Sequence, residues 1–466
     1  MMGSAQKRDF PKSKTGQISL FGLTCMAIGL TIGGGVFVLS GIVGTSTGRY
    51  LPFLYALAAI PMFLAIVPVA ALGAVLPANG GNYFYPSRLL SPWIAFTAIW
   101  FFIVTACLGQ MPLFCFATAD LLVSFTGFSK TTSAFGILTF FYLLNLAGLR
   151  SVVRFQTLMV VLLVGGLAFY ALSASFVFPP SLPNVEEFPG WKKILYGVSL
   201  LTFTYFGSNA IVELGTDTDN PGRNLFRAFI VSFPVVAILY AGVAFASTGY
   251  LSSGSAVLPK NIVFESAGRV FSAEIYSIFM ILCPGLALAT SINGLFLILT
   301  ASVEFVIEDG IFPKFLNRNF GFFRSKPILS TAFYAVSALA LFGDWNLETL
   351  ASYSTLGWLL LFLPLLFVFI RLERRVPRDF DPRFPLPRRF LRFAAYAGIV
   401  FILGFAFFLL ADLFEQGRIV LLPFFLVSGA VYFLLKKGRG VGAGVGFISG
   451  EKMDAFIKSN LSEKNG

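Results

Sequence analysis

The feature that most limits what this chain can fold into is a series of apolar runs, each about 17 to 30 residues long, between Ile18 and Leu435. A helix crosses the ~30 Å hydrocarbon layer in about 20 residues, and only helices and closed barrels satisfy their own backbone there. These runs are rich in Leu, Val, Ile and Phe and have the length that crosses the bilayer as helix, so they predict helices. They fall at 18–44, 51–76, 93–124, 133–149, 152–178, 194–216, 225–250, 270–303, 328–343, 347–370, 390–411 and 418–435. The sequence thus predicts an all-α polytopic membrane protein with twelve transmembrane helices. Composition agrees: 57% of residues are hydrophobic, 12% are charged and mean hydropathy is +0.82, beyond what a soluble core uses. The first run continues past the length of a cleavable leader and is expected to be retained.

Charge sets the orientation, because Lys and Arg stay on the cytoplasmic side. Only seven of the 34 basic residues, Arg49, Lys130, Lys192, Lys193, Lys260, Arg269 and Arg418, fall on the side opposite the termini. Both termini are therefore expected in the cytoplasm, with the protein in the cell membrane. The formal net charge of +12 then serves topology and contact with anionic lipid, with no role in binding nucleic acid. Cys25, Cys107, Cys115 and Cys283 lie in apolar segments without metal spacing and read as small buried hydrophobes. The chain has no histidine, which excludes histidine-ligated metals and histidine relays and weakens any membrane-enzyme reading. No cofactor is implied, and the sequence sets no oligomeric state.

Two of the runs are interrupted. "LTIGGGVFVLSGIVGTSTG" at 30–48 places Gly33, Gly34 and Gly35 inside the first, and "FGSN" at 206–209 puts Gly207 and two small polar residues, Ser208 and Asn209, inside the sixth. Gly29 and Gly33 also form a GxxxG pair, which alone reads as close helix packing. Unpaired backbone at membrane depth is tolerated only where it lines a cavity or meets a ligand. Interrupted helices at matching places in two halves point to a secondary transporter built from inverted repeats. The repeats would be 18–178 and 194–370, with helices eleven and twelve at 390–435 outside them and tails at 1–17 and 436–466. Freed N–H groups attract an anion and freed carbonyls a cation, so opposed breaks suit a zwitterion such as an α-amino acid. Glycine lets its carboxylate approach the backbone.

Four segments resemble the amino acid-polyamine-organocation (APC) superfamily of permeases. They are "IGGGVF" at 32–37, "PANGGNYFY" at 77–85, "DNPGRN" at 219–224 and "EDGIFPKFL" at 308–316, in the family's order from about residue 15 to 330. The resemblance implies a five-plus-five inverted repeat, of the leucine-transporter type, moving amino acids by alternating access. Carried over by position, the amides of Gly33, Gly34 and Gly35 would hold the substrate carboxylate. The carbonyls of Thr31, Phe203 and Phe206 would receive the ammonium, and the Phe203 ring would cover the bound substrate. The chain also departs from the family. Asn209 stands where relatives often carry an acid, and helix five has Met159 or Val160 about where some proton-coupled relatives carry a buried lysine.

Glu213 is the one carboxylate placed well inside the bilayer, where desolvation disfavours its ionised form. It lies four residues after Asn209 and four before Asp217, which puts all three on one α-helical face. That suits a carboxyl that takes up and releases a proton; the alternative is a structural carboxyl at a helix end. Thr290 and Ser291 in helix eight offer hydroxyl ligands for sodium, as a similar pair does in sodium-coupled members of this fold class. The pocket walls include Thr105, Ala106, Phe206, Asn293 and Leu295, mostly neutral and apolar, which favours neutral or apolar amino acids with proton coupling or exchange. Alternatives are a sodium-coupled symporter, a cationic amino acid or polyamine antiporter, and a sensor that kept the transporter fold.

Overall fold

The computed structural model describes residues 18–147, 149–178, 188–249, 262–318, 327–343, 346–374 and 384–437. The expected tail at 1–17, all of the expected tail at 436–466 beyond its first two residues, and 375–383 of the arginine-rich segment at 371–392 lie outside the described residues. The described chain is helical, without a strand. In order the helices are α1 (Leu20–Thr31), α2 (Gly35–Thr47), α3 (Leu51–Val75), α4 (Gly81–Leu89), α5 (Pro92–Thr105), α6 (Met111–Thr126), α7 (Lys130–Leu146), α8 (Leu149–Val177) and α9 (Trp191–Leu201). There follow α10 (Pro221–Gly249), α11 (Ile262–Val270), α12 (Ala273–Met280), α13 (Leu286–Glu308), α14 (Pro327–Ala340), α15 (Leu347–Glu373), α16 (Arg388–Glu415) and α17 (Leu421–Lys437).

Among the described residues, seven stretches are long and apolar enough to cross a membrane, including Leu20–Val75, Pro92–Leu121, Pro221–Gly249 and Ala273–Glu308. Leu20–Val75 holds more than one pass, since its 56 residues would run about 84 Å as one helix. A tight turn at Gly48–Tyr50, with Gly48 at φ 58°, sends α3 back along α2, where Ser40 and Tyr55 hydroxyls meet at 2.9 Å. The helix ends follow local chemistry. Ser19 caps α1 by accepting from the Gly22 N–H at 3.2 Å, and Asn346 caps α15 by accepting from Glu348 N–H at 2.9 Å. Gly127, at φ 69°, closes α6 in the left-handed conformation that glycine adopts without strain.

At the centre α3 packs along α10, and Tyr55, Tyr205 and Tyr240 are fully buried there, with the Tyr240 ring centroid 5.3 Å from that of Tyr55 and 5.4 Å from that of Tyr205. Large side chains such as Phe176, Ile238, Leu339 and Phe407 point outward. An apolar rim of this kind is matched by lipid rather than by water. Two helices carry a single π-turn, α5–α6 at Ala106–Gln110 and α12–α13 at Ile281–Gly285; such turns re-aim the side chains that follow them.

Candidate substrate site at two helix breaks

The first break is short. α1 ends at Thr31, the Gly33 N–H folds back to the Thr31 carbonyl at 2.8 Å, and the first turn of α2 closes with Phe37 and Val38 N–H groups on the Gly34 carbonyl. The N–H groups of Gly35 and Val36 come before that first bond, at the positive end of the α2 dipole. The second break is longer. α9 passes through a 3-10 turn at Thr202–Tyr205, the backbone extends at Phe206 and Gly207, and a 3-10 segment, Ser208–Glu213, completes the pass.

The two breaks touch. A methyl group on Gly207 would overlap the Leu30 carbonyl and the Thr31 nitrogen, which are backbone atoms with no freedom to move aside. One on Gly35 would lie 2.8 Å from Thr204 Cγ2, one on Gly34 would meet Leu288 and Phe114, and one on Gly33 would meet the Ser291 hydroxyl. Gly29 lies against Gln156 and Val160 of α8. Close packing at the breaks therefore depends on the same glycines whose backbone is freed there.

Tyr240 of α10 spans both breaks, a residue the sequence did not single out. Its hydroxyl lies 2.6 Å from the Thr31 carbonyl, which also accepts from the Gly33 N–H, and 3.0 Å from the Thr204 carbonyl. Tyr205 in turn donates to the Tyr55 carbonyl at 2.9 Å. Nothing distinguishes such a tyrosine from ordinary core aromatics in an apolar run.

Aromatic rings wall the breaks. Phe203 is 6% exposed and faces Phe114 at 6.1 Å. Phe206 stacks on Trp358 of α15 at 5.8 Å and 11°, and Trp358 Nε1 donates to Gln110 Oε1 at 3.0 Å from the π-turn of α5–α6. Thr105 donates to backbone within α5 and lies against Gly357, Ala106 begins the π-turn, and Leu295 is buried in α13. The Asn209 side chain lies outside what the structure describes. Asn293 is held among side chains of α7 and α8, donating to Gln156 Oε1 at 3.1 Å and accepting from Asn145 Nδ2 at 3.0 Å. The Thr290 and Ser291 hydroxyls both donate to the Ala287 carbonyl, at 2.8 and 3.1 Å.

Glu213 is 1% exposed. Its Oε1 accepts from the Asn82 N–H at 2.8 Å, in the first turn of α4, and its Oε2 accepts from the Ser302 hydroxyl of α13 at 3.0 Å. The shared face expected for Asn209, Glu213 and Asp217 does not form. The segment is wound as 3-10 helix and interrupted at Leu214, and at three residues per turn a spacing of four leaves neighbours about 120° apart. Asp217 instead accepts from Asn79 Nδ2 at 3.0 Å.

A protein-family model described as "Amino acid permease" matches residues 18–435. The chain belongs to that family. The permease is 24% identical over 467 residues to the branched-chain amino acid permease BcaP of Bacillus subtilis, covering 91% of this chain and 94% of that one. It is 23% identical to the BcaP of Lactococcus lactis, covering 93% and 97%, and 24% identical to the methylthioribose transporter of Bacillus subtilis, covering 80% and 84%. The permease is thus a multi-pass membrane transporter for amino acids and not an enzyme.

Proposed function

We propose that the permease carries neutral, apolar amino acids across the cell membrane by alternating access, binding the two charged ends of the substrate on backbone freed at the two breaks. The observation that carries this reading is the contact of Gly207 with the Leu30–Thr31 backbone. It brings the positive end of α2 and the freed carbonyls of both breaks to one place. In the bound state Gly33, Gly34 and Gly35 hold the carboxylate, while the carbonyls of Thr31, Phe203 and Phe206 take the ammonium beside Gly207 and Asn209. The apolar walls at Phe114, Phe203, Phe206 and Trp358 offer a side chain no charge to pair with, in keeping with the branched-chain name of two relatives.

Twelve passes in a five-plus-five inverted repeat, over 18–178 and 194–370 with 390–435 outside it, fit the pairing of irregularities. The first and sixth passes are broken, the third and eighth carry π-turns, and a short helix, α4 or α11, follows the second and the seventh. Both termini then lie in the cytoplasm. Coupling is by proton or by exchange. Glu213 is the coupling carboxyl, because its two oxygens join the sixth pass to α4 and α13 and protonation removes one acceptor.

The test is counterflow in proteoliposomes against radiolabelled leucine, isoleucine, valine, arginine and a polyamine, with methylthioribose as a solute that lacks an amino acid's charges. Exchange confined to the neutral amino acids supports the reading, and exchange of arginine or methylthioribose alone overturns it. Glu213→Gln is expected to abolish the response to an imposed pH gradient while exchange survives; an unchanged response removes Glu213 from coupling.

A further inference from the structure

Three buried carboxamides form one chain across three helices. Asn145 of α7 donates from Nδ2 to the Phe141 carbonyl at 2.9 Å and to Asn293 Oδ1 at 3.0 Å. Asn293 of α13 donates to Gln156 Oε1 at 3.1 Å, and Gln156 of α8 donates to the Thr290 carbonyl at 3.4 Å. Asn145 is 8% exposed, Gln156 1% and Asn293 0%. The direction of the chain is fixed at both ends, because Phe141 and Thr290 present carbonyls, which only accept. Turning any one amide over would set nitrogen against nitrogen or oxygen against oxygen.

The near end of this chain lies on the first pass. A methyl group built on Gly29 would come within 2.6 Å of Gln156 Nε2, so the α1 backbone, one turn before the break, rests on that amide. The next residues of α13 continue the seam, with Ser291 against Gly33. An alkali cation needs several oxygen ligands, and this seam meets α1 with a donor instead. Gln156 Nε2 faces the Thr290 carbonyl and lies against Gly29 of α1, and none of the three amides brings a negative charge.

We propose that Gln156 is a positioning residue for transport: its amide holds the seam between α8 and α13 as the seat for α1, so the permease closes α1 there without an alkali cation. The task a bound ion could perform, joining α1 to α8 and α13, is done by a neutral hydrogen-bond chain that persists through each cycle. The proposal rests on amino acid transport by alternating access but not on which amino acid is carried.

Cys25, a buried thiol on α1, reports on the seat without any substrate. The experiment is peptide-resolved maleimide labelling of Cys25 in the full-length reconstituted protein, in sodium, potassium or choline chloride, together with leucine counterflow in the same salts. In the wild-type protein, labelling and flux are expected to be equal in the three salts. In Gln156→Met, which keeps the volume and removes the hydrogen bonds, Cys25 should label about tenfold faster and the maximal exchange rate should fall with KM moved less than about threefold, the size of one or two lost buried hydrogen bonds. In Gln156→Glu, which supplies the missing negative charge, labelling should become slower in sodium than in choline. Sodium-dependent labelling of the wild-type protein overturns the proposal even if Gln156→Met fails to fold, and so does wild-type labelling of Gln156→Met. Failure of leucine to exchange while labelling behaves as stated sinks the substrate reading alone.

Discussion

The two short helices that interrupt the bundle, α4 and α11, do comparable jobs by different physics. α4 is tied down at both ends by charge. Its first turn gives the Asn82 N–H to Glu213, and at its far end Arg88 makes a two-pronged pair with Asp309 at 2.8 and 2.7 Å, with the Tyr83 hydroxyl on the same carboxylate at 2.7 Å. The preceding loop adds Gly80 N–H to the Glu213 carbonyl at 3.2 Å, and Gly215 leaves room for the Ala78 backbone. α11 instead leans on rings. Phe264 stacks on Phe37 of α2 at 5.8 Å and 28°, and Glu265 and Arg269 line an open cavity of about 710 Å³ beside Tyr276. The lesson is that α4 is held by charge-assisted, directional bonds, whereas α11 rests mainly on ring contacts, with Ser266 meeting the Tyr170 hydroxyl, so α4 is the more firmly fixed of the two.

That contrast can be broken in order of expected effect. Arg88→Met leaves Asp309 nearly buried with only Tyr83 for company, and should lower stability by about 3 kcal/mol, as removing one partner of a buried pair does. Glu265→Ala, at the exposed α11 end, should stay within about 0.5 kcal/mol of wild type. Thermal unfolding in detergent reads both, and equal shifts would erase the distinction. Tyr240→Phe takes the shared hydroxyl from Thr31 and Thr204, and a loss of about 1.4 kcal/mol should slow exchange about tenfold in counterflow. Ser302→Ala removes one of the two bonds to the Glu213 side chain and should cost about 1 kcal/mol, seen as faster labelling of Cys25. Phe264→Leu should be the mildest, near 0.5 kcal/mol for the lost ring pairing, and should leave Cys25 labelling unchanged.

The helical membrane class and the places of both breaks were legible in the sequence, because run length and glycine clusters are local signals. So were the segments around α4, where PANGGNYFY and EDGIFPKFL supply Asn82, Tyr83 and Asp309 to one network. What stayed hidden depends on winding or on distance along the chain. The four-residue spacing of Glu213 assumed α-helix, and the 3-10 geometry of a broken pass changes which residues share a face. Gln156 is separated by 137 residues from Asn293, and a lone glutamine in an apolar run carries no mark of the partner it meets. Tyr240 was hidden for the same reason, since its acceptors are carbonyls exposed only because other passes are broken.

The central claim is that broken backbone, not charged side chains, recognises both ends of an amino acid. Competition against radiolabelled leucine uptake by leucinamide, which lacks the carboxylate, and by 4-methylpentanoate, which lacks the ammonium, tests it without altering the protein. The account predicts that each competes at least about a hundredfold more weakly than leucine, since each leaves one set of buried polar groups unpaired. Competition by either analogue as strong as by leucine itself would contradict it.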